Sequence, residues 1–288
     1  MSNQGVAIIG AGPAGVAAAI TCKRLGVEPL LLDASGTAGG LVANAFLVEN
    51  YPGTPPTPGP KLADLLQTHL ARIHVDVLRA RACAIVRQVA GWRIDLEGEE
   101  ATHCQAVIVA VGTVPKTLGG KPNIHAFHDV RHLLSRHPTP SRVVVVGGGE
   151  AACDYSLTLA GTGAEVHLLV RGSALRAGPW LLERVTQEPS ILIHPHCTAH
   201  SIEQVGDQVR VQVEDRHIFA DTLLVAIGRR SAAPPLLHCA GVQNDEISYP
   251  DGLYVVGDAR AGSLGQIGIA VGDGMWAATS AARLVGVG

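Results

Sequence analysis

Aromatic side chains are scarce in this sequence: Phe, Tyr and Trp make up 3% of its 288 residues. A protein that grips single-stranded nucleic acid needs rings on which the bases stack, so the scarcity argues against that role. Charge is also thin. Charged residues are 16% of the chain, and a formal net charge of -3 supplies no basic face for a polyanion. No apolar run approaches the length that crosses a bilayer, and no cationic stretch precedes an apolar one near the start. Neither nucleic acid nor membrane is therefore an expected partner, and the expected location is cytoplasmic. Paired thiols are missing too. Cys22, Cys83, Cys104, Cys153, Cys197 and Cys239 include no Cys-x-x-Cys spacing, which removes the usual signatures of a zinc site and of a thioredoxin-like redox pair. These cysteines are expected to be packing residues, and no metal is expected.

What the chain has in quantity is glycine, 34 residues, within a sequence that is 47% apolar. The length suits two compact domains, and the composition suits tight turns between closely packed helices and sheets. The first such turn lies near the start. Val6–Ile9 reads as a short strand, Gly10-Ala11-Gly12-Pro13-Ala14-Gly15 follows, then a helix over Val16–Leu25 stopped by Gly26, then a strand over Pro29–Leu32 ending at Asp33. Each glycine has a separate physical reason: a tight turn, close approach of a diphosphate to the backbone, and contact of helix with strand. The helix start offers N–H groups to phosphate, and Asp33 stands where a ribose would be held.

The pattern recurs. Val143–Val146 is a β-branched strand, followed by Gly147-Gly148-Gly149-Glu150-Ala151-Ala152 and a helix over Cys153–Leu159. The next strand, Glu165–Val170, ends on Arg171 where a carboxylate would favour a ribose hydroxyl, with Arg176 beyond it. Arginine there favours a 2′-phosphate, so NADPH is slightly preferred to NADH. A Gly- and Pro-rich loop spans Gly36–Pro60, and a helix is expected over Pro60–His74. Short alternating segments then lead into the apolar strands Val107–Thr113 and Thr222–Gly228, one per half. A further strand, Gly252–Ala259, closes on Gly257-Asp258, with a small-residue helix from about Gly268 to Leu284. The fold class read from this order is α/β, with two nested Rossmann-like, three-layer dinucleotide-binding domains.

These pieces resemble the low-molecular-weight thioredoxin reductase family of pyridine-nucleotide flavoproteins: GAGPAG at 10–15, GG at 39–40, ENYPG at 49–53, AVGT at 110–113, GGGEAA at 147–152, HLLVR at 167–171, VAIG at 225–228 and GLYVVGDA at 252–259. The resemblance implies an FAD domain built from residues 1–113 and 246–288, a nicotinamide domain of 114–245 inserted in it, a two-stranded hinge, and a homodimer. It places Gly10, Gly12, Pro13, Ala14, Gly15, Asp33, Gly40, Asn50, Gly112, Gly257, Asp258, Gln266 and Ile267 at FAD. It places Gly147, Gly149, Glu150, Ala151, Arg171 and Arg176 at NADPH or NADH.

The chain departs from that family where the chemistry is defined. In place of the redox Cys-x-x-Cys-Asp it carries His125-Ala126-Phe127-His128-Asp129. Thiols can store two electrons as a disulfide, whereas imidazoles move protons or bind a metal. His125, His128 and Asp129 are the candidate catalytic residues. His125, His128 and His132 would share a face if helical, so metal binding and plain surface roles stay open beside proton handling. Cys153 opens a helix, which can activate a thiol, but no partner thiol is near it in sequence. Gly265 stands where the family often has arginine.

The leading expectation is an FAD-dependent NAD(P)H oxidoreductase that passes electrons directly to a small-molecule or redox-protein acceptor. Two alternatives remain. One is a flavin-dependent oxidase or dehydrogenase of a small molecule that uses no nicotinamide, and the other is a non-catalytic flavin- or nucleotide-binding module.

Overall fold

The structure is a computed structural model that describes residues 4–118, 126–214, 216–237, 252–262 and 265–286. Its chain divides into two units. One comprises 1–43, 49–114 and 230–288, and the other comprises 44–48 and 115–229.

The first unit starts with β1 (Gln4–Ile9), α1 (Pro13–Arg24) and β2 (Pro29–Asp33). The helix begins ahead of the expected Val16 because Gly12 is extended at ψ -177 and caps it, and Pro13 is preset for a first helical position. Then come α2 (Gly59–Arg72), β3 (Val77–Arg79), the hairpin β4 (Ala82–Gln88) and β5 (Gly91–Leu96), and β6 (Thr102–Val109). The strands lie in the order β3-β2-β1-β6-β5-β4. Ala7 sits between Leu30 and Val107 in a parallel register. One sheet face carries Val6, Ile8, Ala106 and Ile108 into a core with α1, and the opposite face carries Ala7, Ile9, Val107 and Val109 against the hairpin residues Ile85, Trp92 and Ile94. Period-two alternation therefore feeds two cores from one buried sheet.

The chain leaves this unit through β7 (Thr113–Pro115). The second unit contains β8 (Ala126–Phe127), α3 (Val130–Arg136), β9 (Arg142–Val146), α4 (Glu150–Ala160), β10 (Glu165–Leu169), α5 (Pro179–Gln187) and β11 (Ile191–His194). An antiparallel sheet, β12 (Ala199–Val205), β13 (Gln208–Val213) and β14 (Arg216–Ala220), precedes β15 (Thr222–Val225). The parallel sheet runs β11-β10-β9-β15-β8. Val143 and Val145 face the helices, while Val144 and Val146 face the antiparallel sheet, giving three layers.

The return strand β16 (Arg229–Ser231) pairs with β7. Ala233, Leu236 and Leu237, around α6 (Pro234–Leu237), already pack with Ile85 and Trp92 of the first unit. The return is thus earlier than the expected boundary after residue 245, which lies outside the described residues. β17 (Leu253–Val255) joins β6 in parallel, and α7 (Asp258–Ala261) and α8 (Ile267–Leu284) complete the first unit. Gly274 brings α8 against α1: a Cβ there would lie 2.1 Å from the Ala14 carbonyl oxygen. Among the described residues no helix is long and apolar enough to cross a membrane.

Candidate functional site: two dinucleotide corners

In the first unit, β1 ends at Gly10 with φ 105, where a Cβ would lie 2.3 Å from the Ala110 carbonyl oxygen. A Cβ on Gly15 would lie 1.8 Å from the Gly10 carbonyl oxygen, so the helix can approach the turn only with glycine there. Gly12 is different: a Cβ there meets nothing within 4 Å. No side chain caps α1, so the N–H groups of its first turn, at Ala14 and Gly15 after the donorless Pro13, are presented beside an open glycine. That is the chemistry a diphosphate needs.

Other segments frame the opening. Gly39 donates its N–H to the Ala11 carbonyl at 2.9 Å, and Gly40, at φ 54, comes close enough that a Cβ would lie 3.2 Å from Gly12 Cα. Asp33 accepts from Ala11 N at 2.9 Å and from Ser35 N and Oγ at 2.8 and 2.6 Å, which fixes its carboxylate at the end of β2 and leaves lone pairs for a ribose. Gly112, at φ 64, ends the β6 loop in open space. Gly257, at φ 63, approaches Ala14 and donates to Asp273 Oδ2 at 3.1 Å. Gln266 caps α8 ahead of Ile267, and Asn50 Nδ2 donates to Gln266 Oε1 at 2.7 Å. Asp258 is crowded by Gly265, where a Cβ would lie 2.7 Å from its Oδ1. A larger residue at 265 would displace that carboxylate, which accounts for glycine at this position.

Sequence reasoning missed Asp273, which braces Gly257 and takes Arg260 through Nε at 3.0 Å and a second nitrogen at 2.7 Å. Its signal was a lone acid inside an otherwise apolar helix.

The second unit repeats the corner. Gly147, at φ 151, would place a Cβ 2.3 Å from the Ala226 carbonyl oxygen, Gly148 lies against Val170, and Gly149 is open. Ala152 fills the third fingerprint position and is fully buried, whereas Ala151 is exposed on the first turn with its N–H toward the corner. No side chain caps α4, and Glu150 lies in its first turn. Arg176 donates its N–H to the Gly148 carbonyl at 2.7 Å, which pins the basic loop to the corner. Arg171 and Arg176 are both exposed beside β10. The groups at both corners fit a dinucleotide.

On the other side of β9 lies a polar cluster. Asp129 caps α3 by accepting from His132 N at 3.0 Å and also accepts from Asn44 Nδ2 at 2.7 Å. His128 Nδ1 lies 3.2 Å from the Val225 carbonyl oxygen. Phe46 donates its N–H to Asp154 Oδ2 at 2.8 Å. Burial pushes the Asp154 carboxyl up to about 6, with the N–H groups of Phe46 and Leu47 opposing that rise. Burial also pushes the Tyr155 phenol up to about 12, against the pull of Arg229. His128 precedes α3 and His132 is within it, so the two do not share a helical face. His125 lies outside the described residues. Among the described residues no group of His, Cys, Asp and Glu could hold a metal. Cys22 and Cys104 are buried, with thiols raised to about 12 by desolvation. Cys153 is raised to about 11 by burial and then by Glu150 and Asp154, so the helix start does not activate it.

Two units, each with a glycine corner whose groups fit a dinucleotide, define the α/β dinucleotide-binding class. Residues 4–274 match the model of the pyridine nucleotide-disulphide oxidoreductase family, and the chain belongs to that family. It is similar to a thioredoxin reductase of Mycoplasma pneumoniae, 28% identical over 94% of this chain and 91% of that one. It is also similar to a ferredoxin–NADP reductase of Gluconobacter oxydans, 28% identical over 81% of this chain and 75% of the other. The crystal structure of the T. acidophilum thioredoxin reductase superposes with a TM-score of 0.85 at 25% identity, covering 98% of this chain and 99% of that one.

Proposed function

We propose that this chain carries electrons from NADPH or NADH through FAD straight to a small-molecule or redox-protein acceptor, with no protein disulfide in between. The observation that carries this reading is the cysteine pattern: the chain has six cysteines and no Cys-x-x-Cys. Cys22, Cys104 and Cys153 are buried with raised thiols, which disfavours the thiolate that disulfide exchange requires.

FAD, when bound, supplies hydride acceptance and electron release; the protein supplies position and proton control. The α1 corner, Asp33 and the Asn50–Gln266 pair would hold FAD, with Asp258, Gly257 and Gly40 closing around it. The α4 corner would hold the diphosphate of the nicotinamide dinucleotide, and Arg171 and Arg176 would favour a 2′-phosphate. His128 is the proposed proton carrier. A carbonyl can only accept, so Val225 fixes the proton on Nδ1 and leaves the Nε2 lone pair as the basic site. Asp129 would act through position, as the cap that sets His128 at the start of α3. The expected assembly is a homodimer and the expected location the cytoplasm.

Anaerobic titration tests the central claim. The FAD-loaded protein should bleach with NADPH or NADH and take up about two electron equivalents per flavin, since no thiol pair stores more. Uptake of about four equivalents would restore a disulfide. Failure to bleach with either nicotinamide would favour the oxidase or binding-module alternatives.

A further inference from the structure

The segment Asn44–Val48 is grouped with the second unit although Ala43 and Glu49, on either side of it, belong to the first. Its bonds explain the grouping. Asn44 is buried and bridges the start of α3: its Nδ2 donates to Asp129, and its Oδ1 accepts from Arg131 N at 3.3 Å. Phe46 donates to Asp154 at 2.8 Å. The segment has no charged side chain, so backbone N–H groups and one buried amide hold it to two carboxylates.

The position of this strap relative to the α4 corner follows from strand order. β10 and β15 flank β9 on opposite sides. Arg171 and Arg176 lie at the β10 side, so a dinucleotide with its diphosphate on α4 and its adenosine end toward the arginines sends its nicotinamide end toward β15. That is where Asp129, His128, Tyr155 and Arg229 gather, and where the strap sits. Asp154 is one turn along α4 from Glu150, and the two carboxylates sense each other. One helical turn is about 5.4 Å, so the strap that Asp154 holds through Phe46 lies close to the start of α4, on its β15 side.

We propose that Asn44–Val48 is a displaceable strap occupying the nicotinamide side of the α4 cofactor site, held there by Asp129 and Asp154 and released when the dinucleotide binds. The inference rests on the reading of α4 as a nicotinamide corner. The strap is a built-in competitor, so every interaction that holds it subtracts from apparent cofactor affinity.

Hydrogen exchange on the FAD-loaded full chain separates the possibilities, with NADPH and NADH added in parallel. Saturating cofactor should protect amides in 147–152 and at the same time deprotect Phe46 and Leu47. Asn44→Ala removes the buried amide without touching a proposed cofactor ligand. It should deprotect the strap in the absence of cofactor and tighten cofactor binding about five-fold or more, the effect of losing its two hydrogen bonds. Asp154→Asn, which keeps the packing and weakens the acceptor, should shift both readouts in the same direction. Protection at 147–152 with no change at Phe46 and Leu47, or unaltered affinity in Asn44→Ala, overturns the strap while leaving the nicotinamide corner standing. Absence of protection at 147–152 with either nucleotide overturns both.

Discussion

Gly12 and Gly15 belong to one loop, yet alanine should fail at each for a different reason. At Gly15 the added Cβ would lie 1.8 Å from the Gly10 carbonyl oxygen, so Gly15→Ala must push α1 off β1. A loss of several kcal/mol is expected, about 3 or more, with a lowered urea midpoint even in the apoprotein. At Gly12 nothing lies within 4 Å, so Gly12→Ala should fold with an unchanged midpoint and elute from gel filtration without its yellow colour. If Gly12→Ala kept a full complement of FAD, this corner would not be the diphosphate site. The arginines offer a parallel test in the second unit. Arg171→Ala should raise the KM for NADPH about ten-fold, the loss of a charge-assisted bond, and leave the KM for NADH nearly unchanged. Equal changes for both would assign Arg171 to the solvated loop instead.

Two titrating groups on different elements of the second unit should give its stability a pH dependence of opposite signs. Asp154 on α4 has its folded value raised to about 6, mainly by burial. A raised carboxyl contributes stability that is present below its unfolded value, near 3.9, and lost as pH rises through about 6, amounting to about 2–3 kcal/mol. His194 on β11 is lowered by burial and by the charges of His167 and Arg216, beside a ring stack with His167 at 5.2 Å. A lowered imidazole contributes stability above its unfolded value, about 6.5, and loses it as pH falls through the folded value. Urea midpoints at pH 8 and pH 5 resolve the two. Asp154→Asn should be more stable than the parent at pH 8 and match it near pH 5, while His194→Gln should lose less than the parent on acidification. The elements themselves were unequally legible. The glycine corners and the strands beside them could be read because local sterics and β-branched runs specify them without help from distant residues. α3 and α5 were not foreseen: α3 spans Val130–Arg136 and α5 Pro179–Gln187, both too short to show a clear helical period. The Asn44–Asp129 bond joins residues 85 apart, so no local pattern could announce it, and the lone acid Asp273 in α8 carries no local sign that its partner is Gly257.

At the scale of the whole molecule, the described residues of each unit form their own pair of cores. Val6, Ile8, Ala277 and Ala281 anchor one core of the first unit, and Ile85 and Trp92 anchor the other; Val143, Leu159, Val144 and Val211 do the same for the second unit. A ligand that binds a folded unit and not its unfolded chain stabilises that unit by mass action, by about 4 kcal/mol at a thousand-fold excess over its Kd. The two corners lie in different units, so the two cofactors should stabilise different parts of the chain. Scanning calorimetry of the FAD-free protein is expected to show two transitions. Adding FAD should raise one of them, and adding NADPH should raise the other while leaving the first in place. The assignment can be checked with the glycine variants: Gly12→Ala should abolish the FAD-induced rise alone, and Gly149→Val, which fills the open position at the α4 corner, should abolish the NADPH-induced rise alone. A single transition moved equally by either cofactor would mean that the separate cores do not melt as separate units. FAD and NADPH would then stabilise one cooperative body, and exchange of cofactors could not be read unit by unit.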